Sequence, residues 1–310
     1  MALLEIRELS SQIPFGAQVS GVTLAALEDS DLRGQLRDLF DSKGVLVFRD
    51  MGPDPDMHLA LSAVFGDLAH HGLSEDRTGK PEVVNLQQAE DVIEIDGRRL
   101  AAFLPWHFDA CYTKRLNRAA LLRPVVIPPS GGMTGFADGV QLYDAISPDL
   151  RREFEDARIV YYSKLMFMHQ KFGFPGSHKW ISLSAAAAET IAKCEGAKRS
   201  VHPAVWQRPT GEKVLHVSPW QAAGISGRED AEGDALLEEL CQEIYSRMIP
   251  YWHEWQPTDM VLWDNLRMIH AVSGNEPGQA RHMQRATIEG DYGLGAFEEG
   301  ATGNEPPMMG

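Results

Sequence analysis

Short apolar runs separated by turn residues dominate the sequence, and this pattern most constrains the fold. Residues 92–95 and 99–103 are two such runs, and Asp96-Gly97 between them is a strong signal for a hairpin turn. Further runs that predict strands are 45–48, 83–86, 119–127, 158–166, 201–206, 213–218, 258–263, 267–272 and 281–289. Many short strands broken by turns are typical of a β-sandwich or β-barrel core. We therefore expect a mainly β protein.

Helical patterns occur near the start and in the middle of the chain. Leu32, Leu36 and Leu39 are spaced as on one face of a helix over 29–42, and Gly44 follows its end. The other predicted helices are 55–65, 140–146, 148–157 and 231–249. We expect these helices to pack outside the β core.

Residues 167–200 interrupt the strand pattern of what we expect to be a single catalytic domain, 1–310. The segment has a part rich in Gly and Pro, 172–176, followed by an Ala-rich helix near 184–194. Segments of this length in a compact domain are often lids or binding loops. An insertion that forms a lid over the active-site face and a mobile surface excursion both fit this pattern.

Composition excludes several kinds of partner. The chain of 310 residues has 29 Lys and Arg against 44 Asp and Glu, a formal net charge of −15. Since such a surface repels phosphate backbones, we expect no nucleic-acid partner. Cys111, Cys194 and Cys241 are too few and too widely spaced for a disulfide framework, which fits a reducing cytosol. With neither a signal-peptide pattern nor an apolar run of roughly 20 residues, we expect a cytoplasmic protein without a membrane partner.

Trp106-His107-Phe108-Asp109 holds the first candidate metal ligands. In a strand, residues two apart point to the same face, so His107 and Asp109 would place an imidazole beside a carboxylate. Such a pair alone is a weak signal, since it often marks only a surface hydrogen bond. His270 offers a second imidazole, although a lone histidine in an apolar segment is more often a core residue. Together the three residues would complete a 2-His-1-carboxylate facial triad.

Arg281 and Arg285 follow His270 and lie four residues apart on a predicted strand, so they share its face. Two cations directed into a β core need an anionic partner. A dicarboxylate co-substrate would satisfy this need, because arginine binds carboxylates bidentately. The alternative is that both arginines lie at the surface and pair with nearby glutamates.

Several stretches of the chain together resemble one enzyme family. They are 44–49 with 65–68, 106–109, 131–138 with Tyr143, and 263–291, and a shorter match covers His202-Pro203. In their order and spacing the chain is similar to the taurine dioxygenase and 2,4-dichlorophenoxyacetate dioxygenase superfamily of Fe(II)/2-oxoglutarate oxygenases. The resemblance spans most of the chain. It implies a double-stranded β-helix core, that is, a cupin-like jelly roll, with flanking helices.

The resemblance also implies roles for individual residues. The metal ligands, which would bind Fe(II), are His107, Asp109 and His270. Thr134, in the Gly-Gly-x-Thr segment, would donate its hydroxyl to the distal carboxylate of 2-oxoglutarate, and Arg281 would form a salt bridge with that carboxylate. Arg285 would lie beside both the co-substrate and the anionic group of the substrate. His71 stands where the family often has a substrate-binding histidine.

The chain departs from the family pattern around the substrate rather than around the metal. The family usually has arginine directly after Trp-Asp-Asn, where this chain has Leu266. Arg267 is one place further, and a shift of one residue on a strand changes the face. Phe103 stands where the taurine enzymes carry a polar substrate contact. These differences argue against taurine as the substrate, whereas the carboxylate of Asp109, which related halogenases lack, argues against halogenation.

Candidate lining residues of the substrate pocket are apolar and mostly aromatic: Phe103, Tyr162, Met166, Phe167, Phe172 and Trp220. Any one of them is more often a core residue, but several together would favour a substrate larger and more apolar than taurine. Arg285 and His71 could hold its carboxylate or sulfonate. We therefore expect hydroxylation of an unactivated C–H bond in a small, anionic and partly apolar compound, with O2 consumed and succinate and CO2 released.

Other functions are compatible with some of these residues. Desaturation or oxidative cleavage would use the same co-substrates. A non-redox metal-dependent jelly roll, either a hydrolase or a lyase, would use the triad but leave the Thr134 and Arg281 pair unexplained. A non-catalytic binding protein would have no reason to keep the triad. The resemblance also implies a homo-oligomer, either a dimer or a tetramer.

Overall fold

The computed structural model describes residues 4–52, 54–70, 80–87, 90–163 and 170–306. Within this part of the chain the strands are β1 (Glu5–Glu8), β2 (Ala17–Ser20), β3 (Val45–Phe48), β4 (Val83–Gln87), β5 (Val92–Ile95), β6 (Arg98–His107), β7 (Ala119–Val126), β8 (Thr134–Asp138), β9 (Arg158–Tyr161), β10 (His178–Ser182), β11 (Ser200–Pro203), β12 (Val205–Gln207), β13 (Lys213–Leu215), β14 (Ala222–Ile225), β15 (Tyr251–His253), β16 (Met260–Asp264), β17 (Met268–Asn275), β18 (His282–Ile288) and β19 (Ala296–Phe297). The helices are α1 (Ser30–Lys43), α2 (Pro55–Ser62), α3 (Gly139–Ala145), α4 (Pro148–Phe154), α5 (Ala185–Cys194) and α6 (Ala231–Arg247), with a 3-10 helix at Ala25–Glu28.

Two mainly antiparallel sheets form the core. The first has seven strands in the order β1-β2-β3-β16-β7-β18-β4, and the second has six in the order β10-β5-β6-β17-β8-β15. Successive strands alternate between the sheets, since β16 and β18 lie in the first and β17 lies in the second. One buried hydrophobic cluster joins the sheets, with Val47, Trp263 and Met283 from the first and Phe136 and Met268 from the second. This is a jelly roll, and the mainly β prediction is confirmed.

The first helices cover the outer face of the seven-stranded sheet. The side chain of Asp29 accepts hydrogen bonds from two backbone N–H groups of the first turn and so caps α1. Gly44 ends the helix with a φ of 72°, a left-handed conformation that glycine adopts without steric cost. The buried residues Leu32, Leu36 and Phe40 share a hydrophobic cluster with strands of the sheet. The helix predicted here is therefore confirmed.

Helices α3, α4 and α6 cover the six-stranded sheet on the side away from the first sheet. They pack with a smaller sheet of order β14-β9-β11-β19. Ala137 and Ile269 belong to this outer cluster, whereas their chain neighbours Phe136 and Met268 belong to the cluster between the main sheets. This alternation is the period of two expected for strands. It means that a side chain in phase with Phe136 or Met268 faces the interior of the jelly roll.

Several elements differ in extent from the sequence prediction. Helix α2 ends at Ser62, not at residue 65, and β9 ends at Tyr161, not at residue 166. The strand predicted over 201–206 is two strands, because the chain changes partner: β11 pairs with β9, and β12 pairs with β13. In the described part of the chain, no helix combines the length and apolar character needed to cross a membrane.

Candidate active site

A cavity of about 370 Å³ lies between the two main sheets. Strands β6, β8 and β17 of the six-stranded sheet contribute His107, Thr134 and His270 to its wall, and β18 of the opposite sheet contributes Arg285. Trp106, the chain neighbour of His107, points the other way and packs in the outer hydrophobic cluster. The alternation of side chains along the strands therefore directs the polar residues into the cavity.

His107, Asp109 and His270 meet in the cavity wall. His107 and His270 are paired residues of β6 and β17. Their Nε2 atoms lie 3.9 Å and 3.6 Å from Oδ1 of Asp109, and one candidate ligand atom from each residue lies within 4.8 Å of the other two. Strand β6 ends at His107, however, and Asp109 lies in the turn that follows. The expectation that a single strand presents both residues is therefore wrong; a turn brings the carboxylate to the imidazoles.

Asn265 stabilises this turn. Its Oδ1 accepts a hydrogen bond from the backbone N–H of Asp109 at 2.7 Å, and its Nδ2 donates to the carbonyl of Asp109 at 3.1 Å and to Oδ1 of Asn117 at 3.0 Å. The next residue, Ala110, has a φ of 60°, which costs a residue with a Cβ on the order of 1 kcal/mol. The amide of Asn265 thus holds a ligand-bearing turn that local conformational preference disfavours.

A β-bulge fixes the tautomer of His107. His107 pairs with His270 but Leu104 pairs with Val272, so β6 has one residue more than β17 in this interval. Pro105 lies within it and cannot donate to the ladder, which favours a bulge here. The carbonyl oxygen of Pro105 lies 2.7 Å from Nδ1 of His107. Because a carbonyl only accepts, Nδ1 carries the proton and Nε2 keeps its lone pair toward the other ligands.

The charges of the His107 and Asp109 side chains suit the binding of a cation. Burial, together with the neighbouring His270, lowers the pKa of His107 to about 3, so its ring is neutral at physiological pH. Burial alone would raise the pKa of Asp109, but Arg285, His270 and His107 together hold it well below its usual range. The second carboxylate oxygen of Asp109, Oδ2, is buried and has no hydrogen-bond partner among the described residues. A metal ion at this point would satisfy that oxygen, which is otherwise costly to bury.

Arg281 and Thr134 form a second polar group in the cavity. Nε of Arg281 donates to the carbonyl of Gly132 at 3.0 Å, and Nη2 donates to Oγ1 of Thr134 at 3.3 Å. Arg281 is 5% exposed, and burial lowers its pKa to about 10, so the guanidinium is charged at neutral pH. No acidic side chain among the residues that the structure describes pairs with it. An anionic ligand would stabilise a buried guanidinium in this position.

Two glycines let the backbone pass close to Arg281. Gly131 and Gly132 have φ angles of 71° and 65°. A Cβ at Gly131 would lie 2.5 Å from the carbonyl oxygen of Gly274, and one at Gly132 would lie 3.3 Å from Cδ of Arg281. The Gly-Gly pair therefore allows the approach that brings the carbonyl of Gly132 to the guanidinium.

Arg285 is 8% exposed, and its Nη1 lies 3.3 Å from Oδ1 of Asp109. Both arginines are thus buried and line the cavity, and the alternative of two surface arginines is wrong. Arg281 precedes β18 rather than lying within it, so the two do not share a strand. Arg267, in contrast, pairs with Asp138 through two hydrogen bonds of 2.9 Å and 2.7 Å, a structural role that joins the turn before β17 to the end of β8.

Of the predicted substrate contacts, Phe103 and Trp220 line the cavity. The ring of Trp220 packs edge-on against His107 with 4.9 Å between centroids, and Phe103 packs edge-on against Phe174 at 6.3 Å. Phe172 lies in the hydrophobic core instead. Tyr162 is half-buried and is not among the described residues that line this cavity. His71, Met166 and Phe167 fall outside the described residues.

Sequence reasoning offered a lid over the active-site face for 167–200 but named none of the residues of β10 and α5 that line the cavity. Strand β10 pairs with β5 at the edge of the six-stranded sheet, and the Ala-rich helix predicted near 184–194 is α5. The cavity residues that come from this segment are Trp180, Ser184, Ala186, Ala187 and Thr190. Reasoning also missed the contact of Trp255 with Thr134, 3.1 Å from Nε1 to Oγ1. Small residues on a helix and a tryptophan outside any motif gave no local sign of a place in the site.

A jelly roll with a buried His-Asp-His group facing a cavity defines a class of protein. Two imidazoles and one carboxylate that leave the other metal positions open are the ligand set of non-haem Fe(II) oxygenases. The chain belongs to the taurine catabolism dioxygenase TauD, TfdA family, whose model matches residues 5–287.

Similarity to individual proteins supports this family assignment. The chain is 30% identical over 285 residues to the (S)-phenoxypropionate/alpha-ketoglutarate-dioxygenase of Sphingobium herbicidovorans, covering 89% of this chain and 92% of the relative. It is 27% identical over 292 residues to the alpha-ketoglutarate-dependent 2,4-dichlorophenoxyacetate dioxygenase of Burkholderia sp. strain RASC, with the same coverage, 89% and 92%. The solved structure of a taurine dioxygenase from Burkholderia xenovorans matches with a TM-score of 0.69 and 25% identity over 96% of this chain and 97% of that one.

The chain is therefore an oxidoreductase, a dioxygenase that depends on 2-oxoglutarate (alpha-ketoglutarate). Enzymes of this family use Fe(II), 2-oxoglutarate and O2, and the His-Asp-His triad fits that requirement. The predicted family, fold class and cofactors are confirmed. The hydrolase, lyase and binding-protein alternatives are set aside.

Proposed function

We propose that this enzyme hydroxylates an unactivated C–H bond of a small, anionic and partly apolar compound and releases succinate and CO2. His107, Asp109 and His270 would hold Fe(II) through the atoms that face one another in the cavity wall. When bound, Fe(II) supplies the activation of O2 that accompanies oxidative decarboxylation of 2-oxoglutarate. The protein side chains bind the co-substrate, orient the substrate and exclude water.

One observation carries the proposal: Arg281 is buried in the same cavity as the triad, charged, and without an acidic partner among the described residues. 2-Oxoglutarate has a carboxylate and a keto oxygen for the metal and a second, distal carboxylate. The distal carboxylate would accept hydrogen bonds from the guanidinium of Arg281 and the hydroxyl of Thr134. Charge-assisted hydrogen bonds of this kind are strong in a cavity of low polarity.

The substrate class is inferred from the other lining residues. Phe103 and Trp220 present aromatic surface and Arg285 a cation to the same cavity. The two curated relatives above are named for 2,4-dichlorophenoxyacetate and (S)-phenoxypropionate, which are both carboxylates with an aromatic ring. We therefore propose an aromatic or aliphatic acid as substrate, with its carboxylate near Arg285. His71 would be a further contact, at a position outside the described residues.

Oxidative cleavage is the second candidate outcome. The relatives' named substrates are aryl ethers, and hydroxylation at a carbon that bears an ether oxygen gives a hemiacetal-type adduct that falls apart. Desaturation would begin at the same C–H bond. Product analysis by mass spectrometry separates a stable alcohol from cleavage fragments and from an alkene.

The test is an anaerobic titration. Fe(II) and then 2-oxoglutarate are added to the metal-free protein, and the weak visible charge-transfer band of a chelated 2-oxoacid is expected. Aromatic and aliphatic acids are then added one at a time, and a shift of the band identifies an acid that reaches the iron; succinate formation in air is scored for each. If iron is bound and no band appears, the proposed site for 2-oxoglutarate is contradicted.

Variants of Arg281 sharpen this test. Arg281→Ala should raise the Kd of 2-oxoglutarate roughly 30-fold or more, since loss of one partner of a buried charge pair costs about 2–5 kcal/mol. Arg281→Lys keeps the charge but loses the planar guanidinium, so its Kd for 2-oxoglutarate should lie between that of the parent protein and that of Arg281→Ala. An unchanged Kd in Arg281→Ala, with iron bound, would show that the distal carboxylate binds elsewhere.

A further inference from the structure

We infer that Trp255 is a positioning residue for 2-oxoglutarate. It fixes the direction of the Thr134 hydroxyl so that the O–H donates to the distal carboxylate. The inference rests on the proposed function, which places that carboxylate at Arg281 and Thr134.

The contact follows from the sheet. Strand β15 is the neighbour of β8, and His253 is paired directly with Thr134. Trp255 lies two residues beyond the end of β15. Nε1 of Trp255 lies 3.1 Å from Oγ1 of Thr134, and Nη2 of Arg281 lies 3.3 Å from the same oxygen. One hydroxyl oxygen thus accepts hydrogen bonds from two N–H donors.

Two donors leave the hydroxyl only one role. A threonine hydroxyl has one proton and two lone pairs, whereas an indole N–H and a guanidinium donate only. With both lone pairs of Thr134 engaged, its proton is left to donate, and no described residue accepts it. Thr134 is 2% exposed and lines the cavity, so the acceptor has to be a molecule in the cavity. A carboxylate that already contacts Arg281 is such an acceptor.

The indole is held by its own surroundings. The ring of Trp255 packs edge-on against His253, with 4.6 Å between centroids. His253 is fully buried; its Nε2 lies 3.0 Å from Oδ2 of Asp259, and its Nδ1 lies 3.1 Å from the hydroxyl of Tyr251. Arg49 contacts the same oxygen of Asp259 at 2.5 Å. A buried polar cluster therefore sets the position of the ring whose N–H reaches Thr134.

The measurement is the Kd of 2-oxoglutarate, by calorimetry on the full chain loaded with Fe(II) in the absence of O2. Trp255→Phe keeps an aromatic ring but loses the donor, and we expect the Kd to rise about 3- to 10-fold. Thr134→Val removes a hydrogen bond to a charged group and should raise it roughly 10-fold or more. If Trp255 acts through the hydroxyl, Trp255→Phe should raise the Kd by less than about twofold when it is made in the Thr134→Val variant. The double-mutant cycle of these two substitutions isolates the coupling between the residues.

Two matched proteins separate this effect from altered packing. Trp206 is also half-buried, and its indole donates one hydrogen bond, to the carbonyl of Leu266 at 2.8 Å. Trp206→Phe should leave the Kd within about twofold of the parent. Benzothienylalanine at position 255 keeps the bicyclic shape without the N–H and should reproduce the rise seen with phenylalanine. In both proteins altered at position 255, the kcat measured at saturating 2-oxoglutarate should change far less than the KM for 2-oxoglutarate.

The possible failures are distinguishable. A parental Kd in the benzothienylalanine protein, or an equal rise from Trp255→Phe with and without the Thr134 hydroxyl, would overturn the role of Trp255 alone. A parental Kd in Thr134→Val would instead overturn the placement of the distal carboxylate, and with it the site on which the proposed function rests.

Discussion

At the scale of single residues, His107 and Asp109 are in the protonation states that a divalent metal requires before any metal binds. His107 is neutral because burial depresses its pKa, and its proton is on Nδ1 because the carbonyl of Pro105 accepts it. Asp109 is ionised because Arg285 and the two histidines outweigh the effect of burial. Metal ligands have to be deprotonated at the binding atom. The site therefore binds a cation without first releasing protons from His107 or Asp109.

Removal of one ligand should abolish the reaction. His107→Ala or Asp109→Ala takes away one of the three candidate metal ligands, so we expect no succinate formation above background and loss of bound iron in elemental analysis. Asp144→Ala removes an exposed carboxylate that does not line the cavity and should retain parental activity. Full activity in His107→Ala would contradict the metal assignment.

At the scale of elements, the connection between β16 and β17 serves two ligands at once. Asn265 within it holds the backbone of Asp109, and His270, three residues into β17, is itself a candidate ligand. In another part of the cavity wall, α5 contributes small side chains where a bulky one would narrow the space. We propose that this part of 167–200 is the lid that limits the size of the substrate.

A substitution on α5 tests that role. Ala186 lines the cavity and is exposed at its mouth, whereas Ala188 is exposed on the same helix without lining the cavity. Ala186→Trp should raise the KM for an aromatic acid by roughly tenfold, since steric conflicts of this kind cost about 1–3 kcal/mol, and should spare the Kd of 2-oxoglutarate. Ala188→Trp should change neither. If Ala186→Trp and Ala188→Trp had the same KM for the aromatic acid in steady-state kinetics, α5 would not be a part of the cavity wall that contacts the substrate.

Elements with local signals could be predicted from the sequence. Asp29 and Gly44 mark the two ends of α1, and Asp96-Gly97 marks the hairpin of β5 and β6. The turn that carries Asp109 could not, because it is stabilised by Asn265, which is distant in the chain. The contact of Trp255 with Thr134 likewise exists only once β15 lies beside β8. Local propensity does not contain pairings of this kind.

At the scale of the whole molecule, the jelly roll gathers residues from distant parts of the chain into one cavity. Phe103 and Arg285 lie on different sheets yet line the same space. Spacing within the sequence therefore indicated His107 with Asp109 and Arg281 with Arg285 only as pairs, and nothing in the spacing joined His270 to either pair. The family resemblance supplied the contact of Thr134 and the specific role of each residue. The chain also encloses two arginines in this cavity while its formal net charge is −15. Positive charge is thus concentrated locally in the cavity, although the molecule as a whole is acidic.

Assembly is a prediction at this scale. The resemblance to the family implies a dimer or a tetramer, and sedimentation velocity should give a mass of two or four chains. A single species at the mass of one chain over micromolar concentrations would contradict this expectation.

The bulge at Pro105 affects how the site tolerates change over evolutionary time. The group that accepts the Nδ1 proton of His107 is a backbone oxygen, so replacement of a side chain does not take it away. Where such an acceptor is a carboxylate side chain, one substitution can alter the metal ligand. Here the tautomer depends on how many residues β6 has opposite β17. Point mutations at positions other than Pro105 would leave this proton in place, whereas the loss or gain of a single codon in β6 would displace it.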